Sequence, residues 1–217
     1  MNLSITIITV NFNTEDLTIK AIKSINKFYP YLKILLIDNA SKYENTYKLI
    51  KLNEEIPNLK IIFNKHNIHH GPAMNQGIKE CDTEWILTFD SDAEAINGGF
   101  IEEMLHNINE KTYAIGENFL VDKFGYKTEK TKNSFEYIHP FCALYRRKYY
   151  SELPPFEKHG APCLKNLKIA KFKGLELKNF QIQNFVKHEW KGTVRNYGYN
   201  LGLKSWIRKI LRNVFKS

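Results

Sequence analysis

Hydrophobic and polar positions follow two alternating periods along the first half of the chain. Four short runs rich in Ile, Leu and Val have the continuous apolar character of strands buried on both faces; they cover residues 4–10, 33–38, 58–64 and 84–90. Between them, apolar residues recur at helical spacing, which predicts one helix after Thr14 as N-cap and further helices over residues 43–52, 71–80 and 100–108. Strands that alternate with helices in this way predict parallel βαβ units in a doubly wound sheet.

The second half of the chain is less regular. Its apolar patterns predict strands over residues 113–121, 135–138 and 183–188, and helices over residues 146–152 and 164–173. Gly174 follows the last of these helices and suits the left-handed conformation that ends many helices. No repeat or low-complexity linker interrupts the sequence. We therefore expect one continuous α/β domain with an additional helix at the C-terminus.

Polar residues follow three of the predicted strands at the point where each strand ends. The first strand leads into Asn11-Phe12-Asn13, the second into Asp38-Asn39-Ala40-Ser41 and the fourth into Asp90-Ser91-Asp92. One such cluster is typical of turns, because Asn, Asp and Ser cap helices and bend loops. Three clusters at the carboxyl edge of one parallel sheet favour a ligand site, since ligands of such sheets bind at that edge.

The third cluster suggests a metal ion. Asp90 and Asp92 are close enough in sequence for their carboxylates to repel each other unless a cation joins them. Hard divalent ions such as Mg²⁺ or Mn²⁺ prefer oxygen ligands and bridge readily to a diphosphate. We expect one of these two ions at this edge of the sheet.

Four segments in a fixed order resemble the family 2 glycosyltransferases of the GT-A fold. They are IITVNFNTEDL (7–17), LLIDNAS (35–41), NKHNIHHGPAMNQGI (64–78) and DSD (90–92). The resemblance implies a GT-A-type α/β domain with a mostly parallel, doubly wound sheet and helices on both faces. It also implies a nucleotide-sugar donor, such as a UDP-sugar, a divalent metal, and transfer with inversion to a glycan or lipid-linked acceptor. Residues 1–110 would form the nucleotide-sugar-binding half and residues 111–190 the acceptor-binding half of the same domain.

The resemblance also implies roles for individual residues. The residues that would contact the nucleotide sugar are Val10, Asn11, Phe12, Asn13, Asp38, Asn39, Gly71, Asn75, Asp90 and Ser91. Among them, Asp38 would accept a hydrogen bond from the base. Asp90 and Asp92 would hold the metal, and Asp92 would thereby act in catalysis, because a bound cation stabilises the charge that grows on the departing diphosphate. His188, in the segment KHEWKGT, resembles a late histidine of the family and would be a third metal ligand or a structural histidine.

The catalytic base is the point where the chain departs from the family. Inverting members carry an acidic pair shortly before the glycine that Gly174 resembles, but here that place holds Ala161-Pro162-Cys163. The nearest titratable groups are Glu157 and His159. Either could remove the proton of the acceptor if a loop carries it to the anomeric carbon, or either could be an ordinary surface charge.

Charge changes the picture at the C-terminus. The whole chain carries a net charge of +9, but residues 191–217 carry +7 and the remainder only +2. In this tail, apolar residues lie along one helix face and basic residues surround it, a pattern typical of a membrane-surface helix. We expect the tail to bind an anionic membrane surface; the same face could instead pack on the catalytic domain or on a second subunit in a homodimer. The near-neutral body disfavours nucleic acid as a partner.

Other features set the location and the alternatives. The N-terminus lacks the pattern of a signal peptide, and three widely spaced cysteines indicate a reducing compartment. We expect a cytoplasmic protein, peripheral on the inner face of the membrane. Two alternatives remain: a nucleotidyltransferase that makes nucleotide sugars, although NFNTED stands where that class has a glycine-rich loop, and a sugar-nucleotide-binding protein without transfer activity.

Overall fold

The chain forms a central sheet flanked by helices, as seen in a computed structural model that describes residues 4–157 and 160–189. The strands are β1 (Ile5–Asn11), β2 (Lys33–Asp38), β3 (Leu59–Phe63), β4 (Trp85–Phe89), β5 (Ala93–Ala95), β6 (Thr112–Val121), β7 (Phe135–Arg146), β8 (Glu176–Asn179) and β9 (Val186–His188). The helices are α1 (Glu15–Phe28), α2 (Tyr43–Glu55), α3 (His70–Glu80), α4 (Phe100–His106), α5 (Arg147–Tyr150) and α6 (Leu164–Phe172). A single 3₁₀ turn, Ile182–Asn184, precedes β9.

Seven of these strands form one sheet in the order β3-β2-β1-β4-β7-β6-β8. β1 pairs in parallel with β2 and β4, and β2 in parallel with β3, whereas β7 is antiparallel to both of its neighbours. The predicted, mostly parallel sheet is therefore confirmed. The chain builds outward from β1 to β3 and then returns to β4 on the other side, which opens a crevice beyond the carboxyl ends of β1 and β4.

Helices cover both faces of the sheet, as predicted. On one face, α1, α2 and α4 contribute Ile22, Leu49 and Phe100 to a buried cluster. On the other face, α3 and α6 contribute Met74 and Leu167 to a second cluster. β1 is buried along its whole length because both of its faces are covered, which explains its continuous apolar sequence.

β7 differs most from the prediction. It extends over twelve residues, Phe135–Arg146, rather than ending at residue 138. Its pairing with β6 is interrupted, because Gly116 pairs with Ala143 and Asn118 with Ile138. Pro140 lies inside this bulge, where the missing N–H removes no ladder hydrogen bond. β5 and β8 were not expected either; each is short, and β8 has the polar sequence ELKN.

Two expectations fall outside the described residues, namely the C-terminal helix of residues 191–217 and the position of His159. All three cysteines are buried and free. Within the part of the chain that is described, no helix combines the length and apolar character needed to cross a membrane.

Candidate active site

Asn11 joins the carboxyl ends of β1 and β2 to the start of α1. Its buried amide donates hydrogen bonds to Asp38 Oδ1 (2.7 Å) and Ser41 Oγ (2.9 Å). Its side-chain oxygen, Oδ1, accepts hydrogen bonds from the hydroxyls of Thr14 (3.0 Å) and Thr18 (2.7 Å). Thr14 precedes α1 as predicted, but its hydroxyl bonds Asn11 rather than a backbone amide of the helix. Asn11 therefore shapes the predicted nucleoside pocket through contacts within the protein.

Asp38 ends β2 with both carboxylate oxygens engaged. Besides Asn11, Oδ1 accepts from Ser41 Oγ at 2.6 Å, and Oδ2 accepts from the Ser41 amide at 3.1 Å. Ser41 Oγ accepts in turn from the Asn13 amide (2.8 Å), and Asn13 Oδ1 accepts from the Lys42 amide (2.9 Å). The loops after β1 and β2 thus form one hydrogen-bonded edge that contains the residue expected to bind the base.

Asn39 extends this edge to the loop before α3. Its Oδ1 accepts from the Ile68 amide (3.0 Å) and from Asn64 Nδ2 (3.2 Å), and its Nδ2 donates to Asn67 Oδ1 (2.9 Å). Such bonds explain why this buried amide stands directly after β2. The other two residues expected beside the nucleoside differ in exposure, since Phe12 is half-buried and Val10 packs in the core cluster that contains α3.

Three non-glycine residues along this edge have left-handed backbones. Their φ angles are 54° at Asn13, 67° at Ala40 and 75° at His69. Residues other than glycine are strained in this conformation, and strained residues cluster at functional sites. Their position at the ends of β1 and β2 and before α3 supports a binding role for the edge.

Asp90, Asp92 and His188 come together beyond the end of β4. One potential ligand atom from each lies within 4.8 Å of the others. His188 Nε2 is 3.1 Å from Asp92 Oδ1 and 3.9 Å from Asp90 Oδ2. The two-stranded sheet of β5 and β9 produces this arrangement, because Ala93 pairs with His188 and the Glu189 amide donates to the Asp92 carbonyl at 3.1 Å.

The electrostatics of this cluster favour a bound cation. Burial raises the pKa of Asp90; His70 and His188 counteract this effect, while the charge of Asp92 adds to it. Burial alone would lower the pKa of His188, but the hydrogen bond with Asp92 and the charges of Asp90, Asp92 and Glu117 together raise it. Two carboxylates in a buried place thus attract compensating positive charge, which a divalent ion would supply.

Aromatic rings fix the orientation of His188. Phe141 stacks on the imidazole, with ring centroids 4.5 Å apart and an angle of 18° between the planes. His139 packs beside it at 5.6 Å between centroids. Burial, together with the charge of His188, lowers the pKa of His139 to about 4, so that this ring is neutral near pH 7. Both rings come from the bulge in β7, and the backbone of that bulge is bonded to Asp90, whose amide donates to the Phe141 carbonyl at 2.8 Å.

The first turn of α3 approaches the cluster from the opposite face of the sheet. His70 Nε2 lies 3.8 Å from Asp90 Oδ1. Beside it, Gly71 faces the backbone of Glu157 so closely that a Cβ there would lie 1.6 Å from the Glu157 carbonyl oxygen. Only glycine leaves room for this approach. Gly71, expected near the donor, therefore also brings the segment of Glu157 to the edge.

Asn75 holds the same segment one turn later along α3. Its Nδ2 donates to the Phe156 carbonyl (2.8 Å), and its Oδ1 accepts from the Phe156 amide (2.9 Å) and the Tyr150 hydroxyl. The Glu157 side chain itself is exposed and lies 3.5 Å from Lys165 Nζ. The structure thus gives Asn75 a contact with the second half of the chain and leaves the Glu157 carboxylate on the surface.

A pocket of about 440 Å³ opens beside Asp92 and His188, on the face of the sheet that α1 covers. Leu17 and Lys20 of α1 line one wall, and Glu117 and Phe141 of the β6–β7 hairpin line another. A pocket of this volume is large enough for a small ligand.

Three residues around the cluster were not predicted from the sequence: Glu117, His139 and Phe141. Two signals for them exist. A polar residue at position 117 interrupts an apolar strand, and Pro140 inside a strand pattern marks a bulge. No local sequence signal indicates that His70 lies near Asp90 or that His139 packs on His188. These contacts depend on pairing between distant segments.

The residues present fit a divalent metal. Two carboxylates and one imidazole supply the oxygen and nitrogen donors that Mn²⁺ or Mg²⁺ accepts. Asp90, Asp92 and His188 each direct one such donor into the same space. Ser91, which stands between the two carboxylates in sequence, is buried.

The fold and the site define a doubly wound α/β protein with an acidic cluster at the carboxyl edge of its sheet. Residues 6–165 match the model of Glycosyl transferase family 2. The chain belongs to this family. No curated protein matches the sequence.

Two solved structures have a similar fold. The mannosyltransferase PcManGT from Pyrobaculum calidifontis, in complex with GDP-Man and Mn²⁺, is 16% identical with a TM-score of 0.65, over 82% of this chain and 54% of that one. S. aureus TarS 1-349 in complex with UDP-GlcNAc is 15% identical with a TM-score of 0.61, over 84% of this chain and 57% of that one. These neighbours confirm the GT-A fold, and the chain spans little more than half the length of either.

Proposed function

We propose that this chain transfers a sugar from a nucleotide-sugar donor, a UDP-sugar, to a glycan or lipid-linked acceptor in a metal-dependent, inverting reaction. The observation that carries the proposal is the convergence of Asp90, Asp92 and His188 at the carboxyl edge of a family 2 domain. The donors named for the structural neighbours, GDP-Man and UDP-GlcNAc, support the donor class.

Each part of the edge has a role in this proposal. Asp38, held by Asn11 and Ser41, receives the base, and the loop of Asn13 borders the nucleoside. Asp90, Asp92 and His188 hold Mn²⁺ or Mg²⁺. When bound, the ion stabilises the negative charge that develops on the leaving diphosphate. Glu157 and His159 remain the sequence-based candidates for the base.

Metal and nucleotide binding test the proposal. Calorimetry of the wild-type chain should detect UDP or GDP binding that strengthens at least about tenfold with Mn²⁺, because a bridging cation neutralises the diphosphate. Asp92→Asn should remove most of this gain. Asp82→Asn is the matched control, since Asp82 is exposed and pairs with Lys33 at the start of β2, away from the cluster. Equal Mn²⁺ dependence in wild type and Asp92→Asn would refute the metal site.

Turnover separates the enzymatic alternatives. A glycosyltransferase should release nucleoside diphosphate from a panel of UDP-glucose, UDP-GlcNAc and GDP-mannose with Mn²⁺. A nucleotidyltransferase should instead release pyrophosphate from UTP and a sugar 1-phosphate. Nucleotide binding without either product would identify a binding protein.

The remaining elements of the proposal concern location. We place the protein in the cytoplasm, peripheral on the inner face of the membrane, with its basic tail on anionic lipid. A homodimer through the apolar face of the tail is the competing arrangement.

A further inference from the structure

Glu117 occupies an unusual place in the β6–β7 hairpin. The register of the two strands passes from the pair Gly116–Ala143 to the pair Asn118–Ile138. One residue of β6, Glu117, therefore faces the four residues 139–142 of β7. Bulges of this kind redirect side chains and are common beside active sites. A carboxylate at the centre of the bulge is thus a feature that strand pairing alone does not require.

The pocket shows on which face of the sheet Glu117 lies. Alternation of side chains does not continue through the bulge, because Ile115 belongs to the cluster under α1 whereas Phe119 packs against the cluster under α3. Glu117 itself lines the 440 Å³ pocket together with Asp92 and His188. It therefore lies on the α1 side of the sheet.

Two other acids of this pocket have basic partners, and a third, Glu189, is exposed. Glu94 forms an ion pair with Lys20 at 2.8 Å, and Asp92 bonds His188 at 3.1 Å. Glu117 is close enough for its charge to contribute to the raised pKa of His188. Its half-buried carboxylate is therefore held at the border between the acidic cluster and the open pocket.

Glu157 differs in each of these respects. Its backbone lies on the α3 side of the sheet against Gly71, and its exposed carboxylate is 3.5 Å from Lys165. Glu157 is not among the residues that line the pocket beside Asp92, whereas Glu117 is.

We infer that Glu117 is the general base that deprotonates the acceptor, which binds in the pocket beside Asp92 and His188. The inference rests on the proposed function. The acceptor oxygen forms a bond to the anomeric carbon of the donor sugar while its proton passes to the Glu117 carboxylate. The bond from that carbon to the diphosphate oxygen breaks, and its electron pair leaves with the nucleoside diphosphate.

Two small acceptors, water and azide, take the place of the natural acceptor in the test. Water must lose a proton when it attacks, whereas azide carries none. The full-length chain is incubated with Mn²⁺ and the panel of three nucleotide sugars, and both nucleoside diphosphate release and glycosyl azide formation are measured by mass spectrometry. Glu117→Gln should reduce the reaction with water by about 100-fold or more, as expected for loss of a general base, and should retain azide transfer within a few fold.

Binding and control variants complete the design. Calorimetry should give the same Mn²⁺ and UDP or GDP affinities for Glu117→Gln as for wild type, which separates a base from a donor-binding residue. Glu103→Gln, on the exposed surface of α4, should change neither reaction.

Distinct outcomes refute the inference and the proposed function. Equal losses with water and azide, weaker metal or nucleotide binding, or undiminished hydrolysis in Glu117→Gln would each overturn the role of Glu117. A wild-type chain that binds no nucleotide with Mn²⁺ and releases no diphosphate from any donor would overturn the proposed function itself.

Discussion

Individual residues with a left-handed backbone at the carboxyl edge of the sheet reduce the stability of the fold. Ala40 has a φ of 67°, and Gly174, after α6, has a φ of 78°. A β-carbon in this region crowds the backbone, whereas glycine avoids the clash. The edge therefore contains residues that bind or position neighbours at some expense of stability.

Exchanging the two residue types tests this cost. Ala40→Gly should raise the free energy of unfolding by about 1 kcal/mol, because it relieves the left-handed strain. Gly174→Ala should lower it by about the same amount, and no atom within 4 Å of the added Cβ would complicate the result. Urea denaturation measures both; a shift of the same sign in the two variants would contradict the explanation.

Among elements, α3 connects the two halves of the chain at the site. Its first turn brings His70 to Asp90, and Gly71 and Asn75 receive the backbone of Phe156 and Glu157. This contact joins residues that the sequence analysis assigned to donor and acceptor halves.

Gly71→Ala should break that contact. The new methyl group would overlap the Glu157 carbonyl, so the segment must move away from α3. We expect a loss of about 3 kcal/mol in the free energy of unfolding, the range of overpacked cores. Ala73→Gly in the same helix serves as the control and should cost about 1 kcal/mol through helix propensity. A smaller loss for Gly71→Ala than for this control would show that the segment yields without cost.

The sequence predicted the elements that local pattern determines. β2 was predicted at its observed bounds because Lys33 and Asp38 bracket a run of four apolar residues. β1 was predicted to within one residue. The extension of β7 escaped prediction because Pro140 resembles a strand end, and pairing with β4 and β6 keeps residues 142–146 in the sheet. β8 escaped it because a short polar segment gains strand structure from β6 alone.

The site was likewise predictable only where local sequence pattern determines it. Asp38, Asp90 and Asp92 stand directly after predicted strands, so their shared edge followed from topology. His188 reaches Asp92 only through the three-residue strands β5 and β9, and sequence suggested it by resemblance rather than by position. Glu117 and His139 lie in a bulge that Pro140 marks, but their place beside the cluster depends on the pairing of two distant strands.

At the scale of the whole molecule, access to the cysteines depends on unfolding. Cys81, Cys142 and Cys163 are buried in the two cores. Burial raises the pKa of Cys81 to about 11 and raises the pKa of the other two thiols as well. Few thiolates are therefore present near neutral pH, and the sulfur atoms are covered.

Iodoacetamide at pH 8 should leave the native protein unlabelled for a time set by its unfolding equilibrium. In concentrated urea, all three cysteines should react rapidly. Mass spectrometry counts the labels. Prompt labelling of any cysteine in the native protein would contradict its burial.

The uneven charge of the molecule gives a second prediction at this scale. The full-length chain should sediment with vesicles of anionic lipid, and salt should weaken the association because each basic residue near the surface contributes about 1 kcal/mol. The triple variant Arg208→Gln, Lys209→Gln, Arg212→Gln should bind on the order of a hundredfold less. The control is Lys123→Gln, Lys127→Gln, Lys148→Gln in the body. Equal binding by both triple variants would reject the tail as the membrane contact.

The amide of Asn11 has a chemical consequence beyond its geometry. One end of this side chain must donate, to Asp38 and Ser41, and the other must accept, from Thr14 and Thr18. Deamidation to aspartate would keep the shape and reverse the donating end, setting a second negative charge 2.7 Å from the Asp38 carboxylate in a buried place. Deamidation of Asn11 would therefore open the edge where the base is expected to bind, without any change in the apolar core.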